Sequence, residues 1–180
     1  MDFLLSLIFI LCFLAMIILS LIAVYTDIKR FTIANKLCLA IALSFLPAYF
    51  AAPEVFGSLW NPWLGGAVML LAGFVIFALR IMGGGDAKLA AALGFWVGFD
   101  HLFIFIFVWS LVGGLQAILT LYLKWQKPFE KPEAGGWVDT AQKGGNHIPY
   151  GLALVAGAFA ALWLNPLLQN KIFNMISTFY

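Results

Sequence analysis

Long runs without a charged side chain recur along this sequence, and they restrict its possible folds more than any other feature. Residues 3–25 carry no charge, nor do 37–50, 102–123 or 148–164. Inside a bilayer the backbone must satisfy its own hydrogen bonds, so an apolar run of about 20 residues crosses as a helix. Hydrophobic residues make up 64% of the 180 and charged residues 10%, against about 45–50% and about 25% in soluble domains. The composition excludes an ordinary soluble enzyme. It predicts a single all-α polytopic membrane domain over residues 1–180, in contact with membrane lipid. No basic run points to nucleic acid, and a net charge of +2 says little about partners.

Read in order, the apolar pattern predicts about six transmembrane helices: 3–25, 37–50, 64–81, a short one from 86 or 87 to 99, 102–123 and 148–164. The first is too long for a signal-peptide core and has no basic residue before it, so it reads as a permanent helix. Arg80 falls in the last turn of the third, where a cation suits the helix dipole. Trp60 and Trp63 form an interfacial anchor, Asp100 and His101 a solvated turn, and Gly113-Gly114 a site of close helix packing. Cys12 and Cys38 are packing residues rather than a disulfide or metal pair. Residues 124–147, rich in charge, proline and glycine, form a mobile polar loop with solvated charges. Residues 167–180 form an amphipathic tail on the membrane surface.

Nine of the ten Lys and Arg residues fall in the loops 26–36, 82–88 and 124–147 or, for Arg80, beside one of them. A six-helix topology puts these loops on one side, which the positive-inside rule makes cytoplasmic. Both termini are then outside.

One stretch resists a purely structural reading. Met82-Gly-Gly-Gly-Asp86-Ala-Lys-Leu89 joins two apolar segments, and a carboxylate at a membrane boundary is costly without a partner, water or a reaction. Gly83, Gly84 and Gly85 permit positive φ and close backbone approach. Helix capping by Asp86 is the plain alternative, about as probable when the stretch is taken alone. The balance shifts because a second acid, Asp27, ends the inbound first helix at the same depth as Asp86 begins an outbound one. Two carboxylates brought together in a partly dehydrated site share a proton. One then takes a proton from an attacking water while the other donates to an amide carbonyl and later to the leaving nitrogen. That chemistry needs no metal or cofactor. His101 and His147 fall in opposite leaflets, which argues against a two-histidine metal site, and the glycine run lacks the Gly-Lys-Ser/Thr ending of a phosphate loop.

With these residues in view, the chain resembles the type IV prepilin peptidases, membrane aspartic proteases of the Gly-x-Gly-Asp class, and in size their short Flp-pilus (tight adherence) branch. The resemblance rests on Tyr25-Thr-Asp27-Ile-Lys-Arg30 with Ile33-Ala-Asn35, on Gly83-Gly-Gly-Asp86-Ala-Lys-Leu89, and on Ile148-Pro-Tyr-Gly151. It implies an aspartic endopeptidase with Asp27 and Asp86 catalytic, acting in the bacterial inner membrane. Its substrates would be prepilins or pseudopilins, cut after a short basic leader at the cytoplasmic face, with pilus assembly machinery as a further partner. Gly83 and Gly85 would serve backbone approach, Asn35 loop structure, and Lys88 the tuning or orientation of Asp86, if it is more than a positive-inside lysine. Ala34 stands where the family usually has proline. The paired Cys-x-x-Cys motifs of longer members have no counterpart here, so proteolysis without a zinc site or N-methyl transfer is expected.

Two other classes fit the same acids. A small proton- or cation-coupled carrier would place them near mid-membrane among broken or repeated helices, and a non-catalytic scaffold would use them only as caps, which Asn would replace.

Overall fold

The computed structural model describes residues 2–177, and among them there is no β-strand. The chain forms α1 (Asp2–Arg30), α2 (Asn35–Ala51), α3 (Asn61–Ala78), α4 (Gly84–Val97), α5 (Leu102–Gln126), α6 (Trp137–Gln142), α7 (Tyr150–Trp163) and α8 (Pro166–Ser177). Short 3-10 turns at Pro53–Phe56 and Phe99–His101 separate α2 from α3 and α4 from α5.

The outer surface is apolar. Phe103 is 79% exposed, and Leu11, Ile18, Phe74, Leu115 and Ile118 stand out from the bundle as well. An exposed apolar surface of this extent suits lipid rather than water. Length and apolarity alone mark out three or four of the six expected spans. α1, α3 and α5 are long and apolar enough to cross, and α7 with α8 makes a fourth if that pair, bent by 69°, counts as one broken span. α2 has 17 residues with Pro47 inside it, and α4 has 14; at about 1.5 Å per residue α4 extends only about 21 Å. The reason for its shortness is its surroundings. Ten of its residues are buried, so α4 is solvated by protein and need not match the bilayer thickness.

α4 packs closely on α3 because glycines face each other. A Cβ on Gly65 would lie 2.5 Å from the Gly94 carbonyl oxygen and 2.8 Å from Gly98 Cα. On its other side α4 meets α2 through Trp96, whose indole N–H donates to the Ile41 carbonyl at 3.0 Å. Phe45 stacks edge-on against both Trp96 and Phe56. Truncating a buried Trp of this kind costs about 3–5 kcal/mol. Asn61 ties the two 3-10 turns together: its amide donates to the Phe56 carbonyl at 2.7 Å and accepts from the Asp100 N–H at 2.9 Å.

Several local expectations change. α1 runs five residues past Tyr25, so Asp27 lies inside its final turns. α3 stops at Ala78, and Arg80 sits beyond it at φ +58° rather than in its last turn. Of the glycine pair in α5, Gly113 packs on Tyr150 and Ala153, whereas a Cβ on Gly114 would meet nothing within 4 Å.

The segment 124–147 is more ordered than a solvated loop. α6 buries Trp137 and Ala141, and the Trp137 indole donates to Thr120 Oγ1 on α5 at 2.9 Å. Asp139 pairs with Lys143 at 2.8 Å; that ammonium, and then the Gly135 N–H, hold its carboxyl below the ordinary carboxylate range. Composition hid this because one buried tryptophan is enough to anchor a short helix. The tail forms α8, with Lys171 paired to Glu54 at 2.8 Å; residues 178–180 of the expected tail lie outside the described residues.

Candidate active site

Asp27 is 4% exposed and Asp86 8%, although each lies within a turn or so of a helix end. After α1 the chain reverses at Phe31, which adopts φ +51°, passes Ala34 at φ −67° and ψ 133°, and enters α2. Asp27 Oδ2 accepts the backbone N–H of Gly151 at 2.8 Å. Gly151 is the second residue of α7, where N–H groups have no partner inside the helix and favour an anion. No side chain fits between them: a Cβ on Gly151 would lie 2.8 Å from the same carboxylate oxygen.

Asp86 is the third residue of α4, and its Oδ2 accepts the Gly83 N–H at 3.2 Å. Gly83, not Asp86, is therefore the N-cap, and Asp86 reaches back to it from inside the helix. The other oxygen, Asp86 Oδ1, is buried without a hydrogen-bond partner among the described residues, which a cap does not explain. Gly83, Gly84 and Gly85 depart from expectation, since none has positive φ. Close approach remains as their reason: a Cβ on Gly85 would lie 3.2 Å from the Ile33 carbonyl oxygen, and one on Gly83 3.1 Å from Asp86 Oδ2.

Both acids line one cavity of about 710 Å³, with Phe31, Arg80, His147 and Tyr150 among its other walls. Each acid is held through Oδ2 by one backbone N–H, and among the described residues neither Oδ1 accepts a hydrogen bond, that of Asp86 being buried as well. Such a pair can bind a water and move its protons, or hold a cation. Arg80 forms no ion pair with either acid among the described residues. No group of three or more metal-ligating side chains occurs among those residues.

Lys88 Nζ donates to Asn35 Oδ1 at 2.8 Å rather than to Asp86, joining the first turn of α4 to the start of α2. Ala34 adopts a φ close to the about −65° that proline enforces, so the missing proline leaves this backbone in a proline-like conformation. His147 lies against Phe31, ring centroids 5.8 Å apart, and brings the end of the polar segment to the cavity. Phe31, Arg80, Tyr150 and Gly151 were not identifiable as site residues from sequence patterns. A Pro-Tyr-Gly run opening an apolar helix was the one available signal, since Pro favours a helix start and Gly a close approach.

The helices and cavity define a polytopic α-helical membrane protein with an acid pair lining one cavity. The chain belongs to the type IV leader peptidase family, whose model matches residues 4–118, and is a membrane protease of that kind. Neither a curated protein nor a solved structure matches it. The matched region contains Asp27 and Asp86 and ends inside α5, so Gly151 is a contact the family match does not reach.

Proposed function

We propose that this protein is an aspartic endopeptidase that removes the short basic leader of Flp-type prepilins at the cytoplasmic face of the bacterial inner membrane. Asp27 and Asp86 are the catalytic pair. The carrying observation is that two buried carboxylates, from segments almost sixty residues apart, line the same cavity, each with one oxygen that accepts no hydrogen bond among the described residues. In the reaction one carboxylate, ionised, accepts a proton from the attacking water. The other, protonated, donates to the scissile carbonyl oxygen, and a proton passes to the leaving nitrogen as the amide breaks. A dyad working with one proton gives a bell-shaped pH–rate profile.

The cytoplasmic location rests on the distribution of Lys and Arg, with both termini outside. The leader of such a substrate is basic and precedes an apolar helix, so the bond to be cut lies where these acids lie. A carrier using the same acids is less well supported. Among the described residues the one bent helix pair breaks between α7 and α8, at the opposite end of α7 from Gly151, so it contributes no carbonyls beside the acids. The absence of Cys-x-x-Cys pairs supports proteolysis without methyl transfer.

Co-expression with a candidate Flp-type prepilin tests the reading, with leader loss followed by gel mobility. Processing by the unaltered chain, and none by Asp27→Asn or Asp86→Asn at equal protein levels, is the expected result. Processing by both variants contradicts it.

A further inference from the structure

Between residues 102 and 123 the sequence carries one amide side chain, Gln116. It is 4% exposed, in a helix long and apolar enough to cross a membrane, where a polar group is costly and commonly tied to function. Its Nε2 donates to the carbonyl of Pro149 at 3.0 Å. A carbonyl can only accept, so the amide orientation is fixed, and Oε1 is left buried without a partner among the described residues. Gln116 is thus not optimised for stability: an apolar side chain of the same length would remove the orphan oxygen.

Pro149 immediately precedes α7, and two residues later the Gly151 N–H meets Asp27 Oδ2. Gly113, one turn before Gln116, packs on Tyr150 between these two points. On the other side Thr120 Oγ1 donates to the Gln116 carbonyl at 2.7 Å, and the Trp137 indole donates to Thr120. Residues 113, 116 and 120 share one face of α5, and that face is laid against the start of α7.

We propose that Gln116 is a positioning residue for Asp27. By holding the Pro149 carbonyl it fixes the first turn of α7, so that the Gly151 N–H is aimed at the carboxylate. The inference rests on Asp27 being catalytic.

The test uses the full-length enzyme purified in lipid nanodiscs with a prepilin substrate, comparing Gln116→Met, Gln116→Glu and Asp27→Asn with the unaltered chain. In Gln116→Met, which keeps length and loses the donor, kcat falls at least tenfold, KM stays within twofold, and thermal stability is unchanged or higher. In Gln116→Glu the protonated side chain can still donate to Pro149, so its activity relative to Gln116→Met rises as pH falls. Retention of kcat by Gln116→Met, or a loss of activity that only follows a loss of folded protein, overturns the proposal while leaving an inactive Asp27→Asn as evidence for the dyad. Cleavage by Asp27→Asn overturns the reading beneath it as well.

Discussion

The backbone N–H of Gly151 and the carboxylate of Asp27 meet at 2.8 Å across 124 residues of sequence. The contact joins the start of α7 to the last turns of α1, and it leaves no room for a side chain.

Gly151→Ala is therefore expected to be specifically damaging. Its Cβ would fall 2.8 Å from Asp27 Oδ2, so the carboxylate or the helix start must move. A displacement near 1 Å at a reacting group costs about 10²-fold in rate. Cleavage by purified Gly151→Ala should drop by about that factor while the protein remains folded; wild-type turnover would show that the contact does not position Asp27.

Ala34→Pro should stabilise the protein. Ala34 has φ −67°, and its N–H makes no hydrogen bond among the described residues. Proline there removes freedom from the unfolded chain, a gain of about 0.4–1 kcal/mol. The thermal midpoint in detergent should rise by a few degrees, and a fall would mean that Ile33 cannot tolerate a following proline.

Lys88 is expected to act through Asn35. A double-variant cycle of Lys88→Met and Asn35→Ala should give a coupling of about 1 kcal/mol in unfolding free energy, as one exposed hydrogen bond warrants. Lys88→Met alone should change kcat by no more than a few fold. A large kcat loss with no coupling to Asn35 would return Lys88 to Asp86.

Two glycines should respond in opposite directions. Gly65→Ala forces a methyl against the Gly94 carbonyl and should destabilise by about 1–3 kcal/mol, since neither backbone can yield easily. Gly114→Ala meets no neighbour within 4 Å and should stabilise α5 by about 0.5–1 kcal/mol. Thermal unfolding of the two variants side by side measures both.

What could be read from the sequence followed from local rules. Apolar runs and their punctuation gave the helices to within a few residues, and an inbound helix ending at Asp27 with an outbound one starting at Asp86 implied that the acids converge. Their shared cavity agrees with that. The same local rules missed features that depend on packing. The glycines before Asp86 suggest freedom of φ or close approach, and which of the two applies at Gly85 depends on Ile33, about fifty residues away. The apolar pattern marks the fourth helix as short, but not that its neighbours bury ten of its residues. Trp137 looked like part of a solvated loop because nothing nearby in sequence reveals Thr120 as its partner. Gln116 is the clearest case, since its contact with Pro149 leaves no local pattern; the Pro-Tyr-Gly run marks Gly151, but its partner Asp27 becomes visible only once α7 and α1 are packed.

The most direct measurement is the turnover of a prepilin substrate by the purified chain, by Asp27→Asn, by Asp86→Asn and by the double variant, in one lipid preparation. Product termini would be identified by mass spectrometry. If the two acids work as a unit, each single variant loses at least about 10³-fold and the double variant is no worse than either, because the groups of one catalytic unit are not additive. A single variant that keeps activity within tenfold of the unaltered chain would contradict the dyad.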